Sequence, residues 1–151
     1  MADQPYLLDT NIVLHATRQG SLVSKAIDQQ FNLSASRFRP AISEVSIGEL
    51  FAFTQSQTWG QRRRDLLTEQ IASCLVVPIS HPRVHVRWAE IATALNRSGI
   101  TVGQNDMWIA ATASIADLTV LTTDRDFCHF VRLGLVRAEV LHAKTGLRSP
   151  C

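Results

Sequence analysis

The stretch Tyr6-Leu7-Leu8-Asp9-Thr10-Asn11 passes from three apolar residues to an acid and then to two polar residues. The apolar run predicts a short buried strand, and Thr10-Asn11 predicts the start of a helix directly after it. Asp9 then falls at the carboxyl end of a strand, which is where ligands bind in open α/β sheets. We therefore expect this acid to face a functional edge of a sheet.

The rest of the chain repeats this alternation of short apolar runs and longer helical stretches. Further strands are predicted at Pro40-Ala41-Ile42, Leu75-Val76-Val77, 118–121 and Glu139-Val140-Leu141. Ser43 is predicted to cap a helix in which Val45, Leu50, Phe51 and Phe53 have broadly helical spacing, and further helices are predicted at 61–73, 84–96, 106–116 and 127–133. This alternation predicts an α/β fold with a central parallel sheet covered on both faces.

Length and composition indicate a globular protein. The 151 residues predict one domain, 1–151, with a core at about 6–141 and a short tail at 142–151. The apolar fraction of 46% excludes a disordered polymer. The net charge of +2 does not by itself mark a nucleic-acid binder. Thirteen of the fifteen cationic residues are arginine, which suits phosphate binding but is equally typical of a GC-rich genome.

Cysteine usage and hydropathy bear on the compartment. Cys74, Cys128 and Cys151 lie far apart and form no CxxC pair, so neither a disulfide framework nor a zinc knuckle is predicted. We expect no secretory signal, because a charge precedes any long apolar run, and no apolar stretch approaches the length of a membrane span. A cytoplasmic protein without a membrane segment is the expectation.

Four acids fall where a parallel sheet could gather them. Asp9 and Asp124 follow predicted strands, Asp106 lies in the first turn of a helix, and Glu49 interrupts an apolar stretch of another helix. Carboxylates brought together raise each other's pKa unless a cation offsets their charge. Ligand sets made of oxygen alone suit Mg²⁺ or Mn²⁺ better than Zn²⁺. The pattern favours a divalent metal centre that activates water against a phosphodiester.

Each acid also has a local interpretation. Asp9 could simply cap the helix that follows it, and Glu49 stands at the capping-box spacing from Ser46. Asp106 would complement a helix dipole, and Asp124-Arg125-Asp126 could be a solvated turn. The functional interpretation therefore depends on all four acids converging.

The order of these motifs resembles the PIN-domain family, and within it the VapC-like toxin ribonucleases of type II toxin–antitoxin systems. The resemblance runs from about Tyr6 to Leu141, and the residues that carry it are Leu8-Asp9-Thr10-Asn11-Ile12, Ser43 with Glu49-Leu50, Asn105-Asp106 with Ile109-Ala110-Ala111 and Ala113, and Leu121-Thr122 with Asp124 and Asp126-Phe127. It implies a three-layer α/β/α Rossmann-like PIN domain with a central parallel sheet, and Mg²⁺- or Mn²⁺-dependent endoribonuclease activity.

The resemblance also implies roles for individual residues. Matched to the family's motifs, Asp9, Glu49, Asp106 and Asp124 would be the catalytic, metal-binding acids, with Asp126 as an alternative to Asp124. Thr10, Asn11 and Thr122 would orient those carboxylates or a bound water. VapC-like proteins usually form homodimers, and a small antitoxin protein inhibits them. Many relatives have a glycine shortly after the position of Glu49, whereas Leu50-Phe51-Ala52-Phe53 follows here.

Two further groups of residues were candidates for binding. Arg62-Arg63-Arg64, close to Trp59, could bind an RNA backbone or an acidic antitoxin segment, although a charge run on an amphipathic helix is usually its solvated face. His81 and His85 have the spacing of metal ligands on one helix face, but no third ligand is near them in the sequence, which favours structural roles.

Other protein classes fit the sequence less well. A receiver-like phosphoacceptor domain needs paired acids after the first strand and a late lysine, whereas Asp9 is single and Lys144 follows the last predicted strand. A common class of metal-dependent phosphatase needs an Asp-x-Asp after the first strand, which is absent. Retention of all four acids argues against an inactive PIN module, and a PIN nuclease outside a toxin–antitoxin pair is the alternative.

Overall fold

A parallel β-sheet forms the centre of the computed structural model, which describes residues 4–151. Residues 1–3, at the start of the predicted domain, lie outside the described part. Within residues 4–151 the sheet has five strands, all parallel: β1 (Tyr6–Leu8), β2 (Ala41–Ser43), β3 (Leu75–Val77), β4 (Thr119–Thr122) and β5 (Ala138–Val140). The predicted α/β class with a central parallel sheet is confirmed.

Helices connect the strands and cover the sheet. In chain order they are α1 (Thr10–Ala16), α2 (Leu22–Phe31), α3 (Glu44–Ser56), α4 (Gln61–Ser73), α5 (Pro82–Arg97), α6 (Gln104–Ile115) and α7 (Phe127–Arg132). The predicted helices all form, with boundaries that shift by two residues at most. None of the helices in residues 4–151 combines the length and apolarity needed to cross a membrane.

Successive residues of each inner strand point to opposite faces of the sheet, and both faces are buried. In β1, Leu7 packs into a cluster with α5, α6 and α7, whereas Leu8 packs into a second cluster with α1, α2, α3 and α4. Val120 and Leu121 of β4 divide between the two clusters in the same way. Apolar side chains on both faces explain why the strands read as continuous apolar runs, and they make the fold a three-layer α/β/α sandwich.

The predicted helix α3 forms with Ser43 as its N-cap, but its apolar residues differ in burial. Leu50 is fully buried, but Phe51 and Phe53 are 49% and 38% exposed. The buried positions are Ser46, Leu50 and Thr54, which are four residues apart and therefore lie on one side of the helix. Phe51 and Phe53 lie off that side, so the departure from the family pattern after Glu49 affects the surface of α3 and leaves its buried side apolar at Leu50.

Helix α2 was not predicted. Ser21 caps it by accepting a hydrogen bond from the backbone N–H of Ser24, and Asn32 ends it in a left-handed conformation. Ile27 and Phe31, four residues apart, are its buried positions. Val23, four residues before Ile27, is partly buried against the same cluster, so a narrow apolar stripe is the sequence signal for this helix.

The strand order β3-β2-β1-β4-β5 reverses direction between β1 and β4. In doubly wound sheets of this order, a crevice forms at the carboxyl ends of the strands where the order reverses. Receiver-like domains have a different order, 2-1-3-4-5, so the topology excludes that alternative. Asp9 follows β1 and Asp124 follows β4, so both acids lie at the reversal point.

The C-terminal tail is fastened to the body of the domain. Cys128 in α7 and Cys151 form a disulfide, with Cα atoms 5.5 Å apart, although the sequence indicated no disulfide framework. Arg125 donates hydrogen bonds to the Ser149 and Pro150 carbonyl oxygens, and Leu141 forms a β-bridge with Arg148. These contacts turn the tail back to α7, which is why a pair 23 residues apart in sequence can meet.

We predict that this disulfide stabilises the fold under oxidising conditions. Cross-linking a loop of this length lowers the entropy of the unfolded chain, so Cys151→Ser should reduce the free energy of unfolding by about 3 kcal/mol. Urea unfolding of the oxidised protein and the variant measures the difference. Chemically reduced wild-type protein should match the variant. Equal stability of all three forms would contradict the prediction.

Candidate metal centre

Asp9 is the buried centre of the site and is only 3% exposed. It is the N-cap of α1, where its Oδ1 accepts a hydrogen bond of 2.8 Å from the backbone N–H of Thr10. Its Oδ2 accepts hydrogen bonds from Asn11 Nδ2 at 3.1 Å and from Thr122 Oγ1 at 2.7 Å. The local capping role and the position at the sheet edge therefore belong to the same side chain.

Thr122 and Asn11 join the start of α1 to the loop after β4. The Thr122 hydroxyl donates to Asp9 and also accepts from the backbone N–H of Asp124 at 2.9 Å. The Asn11 side-chain oxygen accepts from the backbone N–H of Thr123 at 3.0 Å. These bonds fix the position of Asp124 relative to Asp9.

Glu49 reaches the same region from α3. Its two carboxylate oxygens accept hydrogen bonds from Thr10 Oγ1 at 2.7 Å and from Asn105 Nδ2 at 3.3 Å. Ser43, not Ser46, caps α3, so the capping-box interpretation of Glu49 is wrong. In the sequence, Asn105 belongs to the Asn105-Asp106 motif, and its position next to Asp106 is the one signal for this role.

Three further carboxyl groups converge beside Asp9 and Glu49. Asp106, Asp124 and Asp126 each place an oxygen within 4.8 Å of the others. Asp106 lies in the first turn of α6, and Asp126 precedes α7 and is exposed. We call Asp9, Glu49, Asp106, Asp124 and Asp126 the acid cluster. The structure thus brings together the four acids expected from the sequence and also Asp126, the alternative.

Two members of the acid cluster have raised pKa values. Burial raises the pKa of Asp9 to about 6, with further increases from Glu49 and Asp124, against the hydrogen bonds from Thr122 and Thr10. Burial raises the pKa of Asp106 to about 7, and the charges of Asp9, Asp124, Glu49 and Asp126 raise it further. The ionised cluster is therefore electrostatically unfavourable on its own, and a bound cation would relieve the repulsion.

The donor set fits a hard divalent cation. Every side chain of the acid cluster offers carboxylate oxygen, and no histidine or cysteine belongs to the group of potential ligands found at this place among residues 4–151. Oxygen ligands select Mg²⁺ or Mn²⁺ over Zn²⁺. Asp106, Asp124 and Asp126 have the mutual spacing to share one ion.

The two histidine candidates lie elsewhere and have structural roles. His81 caps α5 by accepting a hydrogen bond from the backbone N–H of Arg83 at 3.1 Å. His85 meets the ring of Trp108 edge-on at 6.2 Å between centroids. The structural interpretation of this pair agrees with the geometry.

The arginine run of α4 divides among different environments. Arg63 lies over the Trp59 ring at 3.6 Å from its centroid, and Arg64 donates to the Trp59 carbonyl oxygen. Arg62 is exposed. The three arginine side chains of the run therefore do not share one exposed face of α4.

Comparison with known proteins agrees with this site. The sequence pattern of the PIN domain family matches residues 6–133. Ribonuclease VapC5 of Mycobacterium tuberculosis is 31% identical over 123 residues, which cover 80% of this chain and 84% of the relative. Ribonuclease VapC2 of Haemophilus influenzae is 26% identical over 129 residues, covering 85% of this chain and 93% of the relative. This chain belongs to the PIN domain family, and these relatives place it among the VapC-like members.

Solved structures show the same fold. A chain of the VapBC2 complex from Rickettsia felis, bound to a promoter DNA fragment, superposes with a TM-score of 0.76 at 22% identity. A chain of DNA-bound VapBC from Salmonella typhimurium gives a TM-score of 0.73 at 25% identity. Each match covers 91% of this chain and 98% of the other.

The raised pKa of Asp106 predicts how stability depends on pH in metal-free buffer. The folded protein holds the proton more tightly than the unfolded chain, so stability falls as pH rises from about 3.8 to about 7. Asp106→Asn should remove this contribution, so the variant should be more stable than the wild type at pH 8, with the difference disappearing near pH 4. Urea unfolding with a chelator present measures both.

The exposed acid Glu69 of α4 provides the control. Glu69→Gln removes the same charge away from the acid cluster and should leave the pH dependence unchanged. Adding Mg²⁺ at pH 8 should stabilise the wild type more than Asp106→Asn. If Asp106→Asn were less stable than the wild type at pH 8, the repulsion inferred for the cluster would be wrong.

Proposed function

We propose that this protein is the toxin of a VapBC-type toxin–antitoxin pair and that it is a divalent-metal-dependent endoribonuclease. The observation that carries the proposal is the acid cluster at the point where the strand order reverses. The names of the curated relatives, which are VapC ribonucleases, support RNA as the substrate. The acid cluster supports a Mg²⁺ or Mn²⁺ cofactor.

Asp9, Glu49, Asp106 and Asp124 would hold the ion, with Asp126 as the alternative to Asp124. The mutual spacing of Asp106, Asp124 and Asp126 supports this role for the exposed side of the cluster. When bound, a divalent ion supplies activation of water and neutralisation of the negative charge that develops on the phosphate. The carboxylates themselves would orient water molecules and accept the proton that the attacking water loses. Without the ion, Asp9 and Asp106 have pKa values of about 6 and about 7. The charge of a bound cation would lower both pKa values, so both groups would be ionised near neutral pH when the ion is held.

Thr10, Asn11, Thr122 and Asn105 are positioning residues in this proposal. Each donates a hydrogen bond to Asp9 or Glu49, and none offers a carboxylate. Their bonds restrict the rotation of the carboxylates, so that the acid cluster is arranged before substrate binds.

The VapC-like relatives also support a protein partner for this chain. We propose a small antitoxin protein that covers the site, a homodimer of this chain, and a cytoplasmic location. The VapBC names of the solved structures support the antitoxin. A PIN nuclease outside a toxin–antitoxin pair is the second candidate. A short neighbouring reading frame whose product binds this chain and inhibits it would favour the toxin, and its absence would favour the second candidate.

Asp9→Asn should abolish RNA cleavage and growth arrest. Asparagine also caps helices well, so α1 should still form, but it removes a negative charge from the centre of the acid cluster. Cleavage of a labelled RNA with Mg²⁺ or Mn²⁺ present, and its loss on chelation, measures the activity. Circular dichroism checks the fold. A folded Asp9→Asn protein with full activity would refute the role of Asp9.

Thr122→Val should lower activity by about 10- to 100-fold. Valine has nearly the same shape but loses the hydrogen bond to Asp9 and the acceptor for the Asp124 N–H. Because the Thr122 hydrogen bond lowers the pKa of Asp9, the acidic limb of the pH–rate profile should also move to higher pH.

Thr112→Val is the matched control, because Thr112 is equally buried but donates only to the Ile109 carbonyl oxygen within α6. If Thr122→Val and Thr112→Val both kept the activity and the pH profile of the wild type, the positioning role of Thr122 would be wrong.

A further inference from the structure

RNA binding at the acid cluster requires positive charge elsewhere on the molecule. Five of the thirteen acids of the chain lie in the cluster, where they repel phosphate. The remaining eight acids stand against fifteen lysines and arginines, so the rest of the protein is strongly cationic. If the proposed function holds, some of these lysines and arginines bind the RNA backbone.

Several arginines already bind other parts of the protein. Arg87, Arg137 and Arg148 form the salt bridges found among residues 4–151. Arg39 donates to backbone carbonyl oxygens at the end of α4, and Arg125 binds the C-terminal tail. These guanidinium groups hold the fold together and are poor candidates for a ligand.

Three other arginines meet at one cavity. Arg18, Arg62 and Arg63 line a cavity of about 420 Å³ beside Thr17 and Gly60. None of the three takes part in a salt bridge in the described residues, 4–151. We call this cavity the arginine pocket. It concentrates cationic groups without a carboxylate to balance them.

Arg63 is fixed in place within the arginine pocket. Its guanidinium lies over the ring of buried Trp59, and its Nε donates to Thr17 Oγ1 at 3.3 Å. Burial lowers the pKa of Arg63, and the nearby charge of Arg18 lowers it further. Two guanidinium groups that repel each other across a cavity, one of them held rigidly, favour an anion between them.

Helix α1 connects the arginine pocket to the acid cluster. Asp9 is its N-cap and Thr17 its C-cap, so about 12 Å of helix separates the two. A single RNA strand that passes the acid cluster carries a phosphate at every nucleotide, so a neighbouring phosphate is available at this distance. An acidic protein segment would need a carboxylate at one particular position.

We propose that the arginine pocket binds a backbone phosphate of single-stranded RNA next to the cleavage site. This deepens the proposed function and depends on it for the substrate class. Arg18 and Arg62, which are exposed, would contact the phosphate directly, and Arg63 would supply a fixed charge behind them.

The salt dependence of RNA binding tests the proposal. For single strands, each lost phosphate contact reduces the slope of log affinity against log salt by about 0.7. Arg18→Gln/Arg62→Gln loses the one phosphate of the arginine pocket and should therefore reduce the slope by about 0.7, so that raising salt from about 50 to about 200 mM weakens wild-type binding about 2.6-fold more than binding by the variant. Fluorescence anisotropy with a labelled single-stranded RNA, in chelator to prevent cleavage, measures this.

Arg83→Gln/Arg132→Gln is the control, because it removes two exposed arginines that line neither the arginine pocket nor a salt bridge in the described residues. It should keep the wild-type slope. Arg18→Lys/Arg62→Lys should also keep the slope, because the charge is retained. Equal slopes for Arg18→Gln/Arg62→Gln and the wild type, or an equal reduction in the control, would overturn the proposal.

Binding of a polyglutamate peptide tests whether the arginine pocket instead binds an acidic protein segment. If Arg18→Gln/Arg62→Gln lost binding to the peptide but kept the wild-type salt slope for RNA, the arginine pocket would be assigned to an acidic protein and the proposal would be overturned. The binding experiment does not depend on cleavage, so the two proposals can fail separately. RNA binding through the arginine pocket, together with no cleavage in a separate assay with Mg²⁺ or Mn²⁺, would contradict only the proposed function.

Discussion

The burial of the Asp9 carboxylate between β1, β4 and α1 is the constraint on which the site depends. An ionised carboxylate is costly to bury unless hydrogen bonds or a cation compensate it. Thr10, Asn11 and Thr122 provide three hydrogen bonds, and Asn11 and Thr122 also connect the start of α1 to the loop after β4. The same bonds that make Asp9 tolerable inside the protein thus set the relative positions of the acid-bearing elements.

The strand order accounts for the meeting of residues that are far apart in sequence. Because the order reverses between β1 and β4, the loops that follow these neighbouring strands diverge to opposite faces of the sheet. Asp9 and Asp124 stand on the two sides of the resulting crevice, and α3 and α6 bring Glu49 and Asp106 to it. Helix–sheet packing on both faces holds these helices in place.

Much of this arrangement could be predicted from the sequence, because strands buried on both faces are continuous apolar runs and because acids directly after them fall at one edge. Helix α2 escaped prediction since only Ile27 and Phe31 are buried in it. The Cys128–Cys151 disulfide depends on the path of the tail, which tertiary contacts such as those of Arg125 determine. The roles of Thr10 and Asn105 at Glu49 also depend on packing between helices, which periodicity does not encode.

The double role of Asp9 restricts which amino acids position 9 can hold. Helix capping accepts a small set of short polar residues, chiefly asparagine, aspartate, serine and threonine. The hard cation proposed for the acid cluster favours a negative oxygen ligand, which aspartate or glutamate supplies. Aspartate is the single member common to both sets, so the observed helix cap and the proposed cation, which are physically unrelated, select the same residue.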